Sequence, residues 1–148
     1  MLSEGVPAPD FDLQGWRLSN AVKNGPVLLV FIKISCPTCQ FTVPILQAFE
    51  GAGLQILLIS QDDEAKTAQF LNRFQVTLRT VLDKAWDFTV SNAYRITHVP
   101  SQFLVEPAGT ISAAVEGFDK AFIERLAERF GVRPFGPELA SIPALKPG

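Results

Sequence analysis

Two cysteines, Cys36 and Cys39, are the residues of this sequence best suited to covalent chemistry, and they are the only cysteines among its 148 residues. They stand three positions apart in the segment KISCPTCQF. This spacing allows three interpretations: a structural disulfide, half of a metal site, or a redox-active pair. Each interpretation makes a different demand on the rest of the chain.

The first two interpretations fit this chain poorly. A disulfide between residues three positions apart closes a very small loop, so it constrains the unfolded chain little. A structural zinc ion normally takes four Cys or His ligands, whereas the chain offers two cysteines and a single histidine, His98. A redox pair is therefore the favoured interpretation.

The residues around the pair predict that it opens a helix. Residues 27–34, VLLVFIKI, form the continuous apolar run typical of a strand buried on both faces. After SCPTC, apolar side chains recur at helical spacing, at Phe41, Ile45, Leu46 and Phe49. Pro37 suits the first helical position, where its missing N–H costs nothing, and the helix N-terminus favours a thiolate. We therefore expect Cys36 to be the more acidic and exposed nucleophile, and Cys39 to be the resolving thiol.

The remaining pattern predicts one α/β domain at 1–131 and a Pro-rich tail at 132–148. Two extended pieces at 11–18 surround Gly15. They precede the strand of the cysteine pair, and the later predicted elements are a strand (54–60), a helix (61–75) capped by Asp62 or Asp63, a short strand (78–83), a short helix (85–94), a β-hairpin (101–118) and a helix (119–131). This order implies a central mixed β-sheet flanked by helices. Functional groups gather beyond the carboxyl ends of parallel strands, where Cys36 lies.

Composition excludes several classes of function. The net charge is −2 and the basic residues are dispersed, which argues against nucleic-acid binding. The longest apolar run, Val27–Ile32, is too short to span a bilayer, and the first residues lack a signal-peptide pattern. We expect a monomer, cytoplasmic as written, or periplasmic or otherwise extracytoplasmic if a leader or anchor has been removed.

Three segments, in this order, resemble a known family: APDFDLQGWRLS, VLLVFIKISCPTCQFTVPIL and VPSQFLVEPAGTI. Over about residues 7–131 the chain is similar to thioredoxin-fold proteins of the redoxin superfamily, closest to the TlpA/ResA-like thiol-disulfide oxidoreductases. The resemblance implies a thioredoxin-like fold with an N-terminal β-hairpin and dithiol/disulfide exchange with protein substrates. It also implies a recycling redox partner and no cofactor.

The resemblance carries roles to individual residues. Pro44 matches the helix-kinking proline, and Val99-Pro100 matches the cis-proline segment, which lies against the disulfide and offers backbone groups to an extended substrate. Pro37 and Thr38, between the cysteines, should tune the redox poise.

The chain also departs from the family pattern. Ser35 replaces the aromatic residue common before the first cysteine, and Val30 replaces the buried acid of thioredoxins. Asp62 lies nearest the position where ResA-like proteins carry an acid, so it is the candidate proton acceptor for the resolving thiol. The plainer interpretation of Asp62 is a helix cap.

Two alternative functions stay open. A peroxiredoxin-like peroxidase shares the APDF opening, but Leu29 and Lys33 stand where that family has Pro and Thr. A Cu(I)-binding chaperone would use Cys36, Cys39 and His98, since thiolates favour Cu(I). Sco-like copper proteins, however, space their cysteines one residue further apart. Lys33 and His98 are otherwise interpreted as an exposed strand-end cation and a hydrogen-bonded loop residue, and Trp16 and Trp86 as packing residues.

Overall fold

The computed structural model describes residues 1–83, 87–135 and 142–148. Its strands are β1 (Asp12–Leu13), β2 (Trp16–Arg17), β3 (Val27–Ile32), β4 (Gln55–Ser60), β5 (Arg79–Leu82), β6 (Ser101–Val105), β7 (Ile111–Glu116), β8 (Phe118–Asp119) and β9 (Leu145–Lys146). Its α-helices are α1 (Leu18–Ala21), α2 (Pro37–Leu46), α3 (Glu64–Arg73), α4 (Thr89–Ala93) and α5 (Lys120–Phe130). The predicted strands and helices occur in the predicted order, whereas α1 and β9 were not predicted.

A five-stranded mixed sheet in the order β5-β4-β3-β6-β7 forms the centre of the fold. Strand β3 lies in the middle, parallel to β4 and antiparallel to β6, and all six of its residues are buried. Alternate side chains of β3 therefore enter two different cores. Leu28, Val30 and Ile32 pack with helices α2, α3 and α5, whereas Leu29 and Phe31 pack with α1, α4 and the N-terminal segment. The predicted central mixed sheet is confirmed.

The N-terminal hairpin β1–β2 closes one edge of the sheet. Gln14, at its tip, has a positive φ of 49°, and the following Gly15 donates its N–H to Asp12. The Gln14 side-chain amide then pairs with the backbone of Leu82 on edge strand β5, because it accepts from the Leu82 N–H at 2.8 Å and donates to the Leu82 carbonyl at 3.1 Å. The predicted extended pieces around Gly15 are thus a hairpin whose turn side chain extends the sheet.

Side-chain caps set the helix boundaries. Asp63, rather than Asp62, caps α3 by accepting from the Lys66 N–H at 2.8 Å. Asp119 caps α5 in the same way, and Gly131 ends α5 in the left-handed conformation. The short helix predicted at 85–94 begins only at Thr89. Residues 84–86, which include Trp86, lie outside the described residues.

The predicted hairpin in 101–118 is confirmed as β6 and β7, and an ion pair ties its turn to α5. Arg129 donates to both oxygens of Glu106, at 2.7 and 2.8 Å. This contact holds the pKa of Glu106 below its usual value, assisted by the Ser112 hydroxyl. The turn of the hairpin is therefore anchored to the end of the last helix.

In the segment predicted as a tail, residues 142–148 lie on the body of the protein. Its strand β9 pairs antiparallel with β8, which the sequence pattern did not predict. Within the described ranges, no helix combines the length and apolarity required to cross a bilayer.

Candidate functional site

The cysteine pair lies at the N-terminus of α2, beyond the carboxyl end of β3. Cys36 is the N-cap residue and Pro37 occupies the first helical position. The Cys39 N–H donates to the Cys36 sulfur at 3.3 Å. Both cysteines are free thiols; Cys36 is partly exposed, and Cys39 is fully buried, at 0% exposure. One sulfur is therefore accessible to solvent, and the other is not.

The surroundings of the two sulfurs differ electrically. The Cys36 sulfur lies at the N-terminus of α2 and accepts the Cys39 N–H. At Cys39, burial raises the pKa of the thiol well above its usual value, and the neighbouring Cys36 and Asp62 add to that effect. Burial therefore opposes ionisation of the Cys39 thiol.

The Val99-Pro100 segment lies against the Cys36 sulfur. The Val99-Pro100 peptide bond is cis, and the Cys36 thiol donates to the Val99 carbonyl at 3.4 Å. Ser101 donates to the His98 carbonyl at 2.6 Å, and the Gly117 N–H donates to the Pro100 carbonyl at 2.7 Å. These bonds fix the segment, so the backbone beside Cys36 has a defined position.

Asp62 holds the loop that leads to the cysteines. Its Oδ2 accepts from the Ile34 N–H at 2.8 Å, and the Gln40 amide donates to the Ile34 carbonyl at 2.9 Å. The plainer interpretation of Asp62 as a cap of α3 is wrong, since Asp63 has that role. Asp62 instead places a carboxylate close enough to Cys39 to raise its pKa.

The other candidate residues from the sequence differ in burial and in their contacts with the cysteine pair. Thr38 is buried, and its hydroxyl donates to the Pro147 carbonyl at 2.5 Å. Lys33 is exposed at the end of β3. His98 is exposed and lies near Thr97 (3.0 Å) and Glu116 (3.9 Å) rather than against a cysteine. In the part of the chain that the structure describes, no group of three His, Cys, Asp or Glu side chains is arranged to hold a metal ion.

Two further buried or half-buried polar residues escaped the sequence reasoning. Gln40 clamps the loop from α2, and Gln102 faces the same core as Val30, its partner on β3. The Gln102 side chain is fully buried and donates to the Gly117 carbonyl at 3.4 Å. The sequence signal for Gln102 was a polar residue at the start of a strand that continues with the apolar residues Phe103, Leu104 and Val105.

Comparison with known proteins agrees with this geometry. Residues 5–114 match the model of the AhpC/TSA family. The thiol-disulfide oxidoreductase ResA of Bacillus subtilis is 30% identical over 126 residues, which cover 78% of this chain and 69% of that protein. ResA of Geobacillus kaustophilus is 30% identical over 135 residues, covering 84% of this chain and 76% of that protein.

A solved structure gives the same result for the fold. The thioredoxin domain of a thiol-disulfide oxidoreductase from Bacteroides vulgatus superposes with a TM-score of 0.71 at 26% identity, covering 88% of this chain and 99% of that one. The thioredoxin-like fold expected from the sequence is confirmed.

Proposed function

The chain belongs to the AhpC/TSA family and is a thiol-disulfide oxidoreductase, and from this premise we propose that Cys36 is its attacking nucleophile and Cys39 its resolving thiol. The observation that carries the assignment is the asymmetry of the pair. Cys36 is partly exposed at a helix N-terminus with an N–H donor on its sulfur, whereas Cys39 is buried and its pKa is raised.

The reaction runs in two exchange steps. The Cys36 thiolate attacks one sulfur of a substrate disulfide, forming a mixed disulfide and releasing the other substrate sulfur as a thiolate. Cys39 then loses its proton and attacks the Cys36 sulfur. This step forms the Cys36–Cys39 disulfide and releases the second substrate thiolate, so that two electrons have passed to the substrate. The reverse sequence oxidises a substrate dithiol, and a redox partner with thiols or a disulfide restores the starting state.

Asp62 is the proposed acceptor of the Cys39 proton. Burial of Cys39 opposes ionisation, so the second step needs a base near it. Asp62 is the carboxylate whose charge acts on Cys39, and its hydrogen bond from Ile34 fixes it beside the loop of the pair. Val30 stands where thioredoxins carry a buried acid, and neither Val30 nor its partner Gln102 on β6 has an ionisable side chain that could accept this proton instead.

The proposed substrate is a polypeptide that lies extended along the Val99-Pro100 segment. An extended backbone gains affinity from main-chain hydrogen bonds to a strand-like edge. The fixed position of this segment beside Cys36 supports the assignment, because a bound chain would present its disulfide to the exposed sulfur.

We also propose that exchange takes place outside the cytoplasm, since protein disulfides persist in oxidising compartments. Cell fractionation with an antibody against the protein tests this, and recovery with cytoplasmic markers would contradict it.

The reduction potential of the pair is the first test of the function. The protein is equilibrated in glutathione buffers of graded ratio, alkylated, and analysed by mass spectrometry for free and paired thiols. We expect one two-electron transition, and in Cys39→Ser a stable mixed disulfide at Cys36. If the two thiols do not form a disulfide with each other, the assignment is wrong. Peroxide consumption measured on the same preparation tests the peroxidase alternative.

A further inference from the structure

Residues 142–148, called the strap below, cross the face of the protein that carries the cysteine pair. Leu145 and Lys146 form β9 and pair with Asp119 and Phe118 of β8. The Lys120 N–H, at the start of α5, donates to the Ala144 carbonyl at 2.8 Å. The strap is thus held as an added extended strand.

The end of the strap lies against two neighbours of the cysteine pair, Thr38 and Val99. The Pro147 carbonyl accepts from Thr38, the residue that precedes Cys39. The backbone of Gly148 lies so close to the Val99 carbonyl that a Cβ at position 148 would collide with it. The same Val99 carbonyl is the partner of the Cys36 thiol. The strap therefore occupies the Val99-Pro100 segment at the point where Cys36 is exposed.

The surface under the strap accommodates an extended chain with a basic side chain. Lys146 places its ammonium group over the ring of Phe41, 5.0 Å from the ring centre. Gly117 has no side chain at the place where the Lys146 carbonyl approaches. A cleft of about 420 Å³ between the strap and its neighbours is lined in part by His98, Glu116 and Phe118.

We infer that the strap is a tethered competitor for the substrate groove, so that a protein disulfide reaches Cys36 only after residues 145–148 have left. This inference rests on the proposed function, which places the substrate along the Val99-Pro100 segment. The contacts of the strap suit a removable cover, since β9 has only two residues and the Leu145 side chain is 67% exposed. A small disulfide needs no displacement, because Cys36 stays partly exposed with the strap in place.

The test uses the full chain with Gly148→Val, whose side chain collides with the Val99 carbonyl and unseats the strap. Reduced protein is mixed separately with insulin and with oxidised glutathione, and the two rates of disulfide reduction are measured. We expect insulin to be reduced roughly tenfold faster, because a tethered segment competes at an effective concentration of order millimolar. The rate with glutathione should change by less than about twofold.

Two further variants calibrate this result. Lys146→Glu removes the cation from Phe41 and should accelerate insulin reduction by about threefold. Leu145→Ser alters the exposed side chain of the same strap and should leave both rates unchanged. Hydrogen exchange at the Lys120 amide, whose acceptor is the Ala144 carbonyl, reports seating directly and should be faster in Gly148→Val than in Leu145→Ser.

The outcomes separate the two hypotheses. A Gly148→Val protein in which the Lys120 amide exchanges faster, but insulin reduction does not, overturns the competitor role of the strap. If hydrogen exchange at the Lys120 amide is unchanged in Gly148→Val, the contact of Gly148 with Val99 does not hold the strap in place, and the competitor role that depends on it is wrong. If wild-type protein neither reduces the disulfides of insulin and glutathione nor, in its oxidised form, oxidises the corresponding thiols, the proposed function fails and the strap inference fails with it.

Discussion

Cys36 and Cys39 lie within one turn of the same helix, yet the surroundings of their sulfurs differ. Cys36 is exposed to the approach of a substrate and accepts an N–H bond, whereas Cys39 is enclosed in the core that also contains Val43 and Leu46. Because exchange needs a thiolate at each step, we propose that this difference sets the order of events. In the proposed mechanism the exposed sulfur reacts first, and the buried sulfur reacts after the mixed disulfide has formed.

The buried Cys39 thiol should make the reduced protein less stable in alkali. Its pKa is raised on folding, so its contribution to stability is complete below the ordinary value of 9.0 and declines as the pH rises above that value. Above this pH the unfolded chain loses the proton and the folded chain keeps it. We expect the free energy of unfolding to fall by up to about 1.4 kcal/mol per pH unit, measured by urea denaturation between pH 8 and 10.5.

Cys39→Ser is the matched control for this prediction. Tyr94, whose pKa burial also raises, is present in both proteins and cancels from the difference. If the free energy of unfolding falls equally steeply with pH in the two proteins, the pKa of Cys39 does not differ between the folded and unfolded states.

Asp62→Asn distinguishes two effects of the carboxylate on the second exchange step. As a proton acceptor, Asp62 should speed resolution, so the variant should resolve a Cys36 mixed disulfide at least about tenfold more slowly, with its pH profile moved to higher pH. As a bare charge, Asp62 only raises the pKa of Cys39, and its loss would make resolution faster. Stopped-flow measurement of thiol release decides between them, and Asp63→Asn, which removes a neighbouring carboxylate but can still cap α3, is the control.

Sequence reasoning found the residues of the site that carry a local signal and missed those that act across the fold. Cys36, Cys39 and Pro37 follow from their spacing and from the start of a helix. The pairing of Asp62 with the Ile34 N–H joins residues 28 positions apart, so no periodicity could reveal it. The same reasoning could not choose Asp62 or Asp63 as the cap, because both are chemically equivalent until the backbone is placed.

At the scale of elements, the β6–β7 hairpin and α5 behave as one unit because Glu106 and Arg129 join them. The paired geometry involves both carboxylate oxygens and is stronger than a single contact. The partial exposure of Arg129 moderates its value, since solvent screens the pair.

Glu106→Gln should therefore destabilise the protein at neutral pH by about 1 kcal/mol. The pKa of Glu106 is lowered on folding, so its contribution is present above the usual value of 4.5 and is lost as the pH falls through the lower folded value. Wild type and variant should converge in stability at acid pH. Thermal denaturation at pH 7 and pH 3 checks this, with Glu128→Gln on the exposed side of α5 as the control.

The boundary of α4 shows where element prediction reached its limit. The sequence 85–94 predicted a helix throughout, but α4 begins at Thr89, after Phe88 in the left-handed conformation. Asp83, buried at the end of β5, accepts from the Val90 and Ser91 N–H groups and so fixes where the helix can start. Because Asp83 lies six positions before the first residue of α4, the sequence next to Thr89 shows no standard N-cap pattern.

At the scale of the whole molecule, two side-chain hydroxyls on opposite faces of the sheet differ in whether they have a hydrogen-bond partner. On one face, the Tyr94 hydroxyl donates to the Pro9 carbonyl at 2.7 Å and so ties the N-terminal segment to α4. On the other face, the Thr42 hydroxyl is buried and has no partner among the described residues.

Removing these two hydroxyls should have opposite consequences. Tyr94→Phe should cost about 1 kcal/mol, because the Pro9 carbonyl loses its donor, whereas Thr42→Val should be neutral or stabilising. Urea denaturation of both variants at pH 7 measures the pair. A stability loss of equal size in Thr42→Val would mean that its hydroxyl has a partner, such as a bound water.

The global arrangement was predictable to the extent that strands and helices alternate. The apolar run of β3 and the hairpin of β6 and β7 specify a mixed sheet with β3 inside it. The seating of the strap was not predictable, because Leu145 and Lys146 meet β8 through backbone pairing and Thr38 meets Pro147 across 109 positions. A short extended segment has too few side chains for its hydrophobic pattern to predict where it packs.

The Gln14 amide on Leu82 has a consequence for the protein in a crowded solution. An outer strand with free N–H and C=O groups can recruit a strand from another molecule, and repetition of that event builds insoluble aggregates. By offering one donor and one acceptor in place of a neighbouring strand, Gln14 occupies the position where such growth would begin. A single turn residue thus covers one donor and one acceptor of edge strand β5 and should lower the tendency of this edge to aggregate.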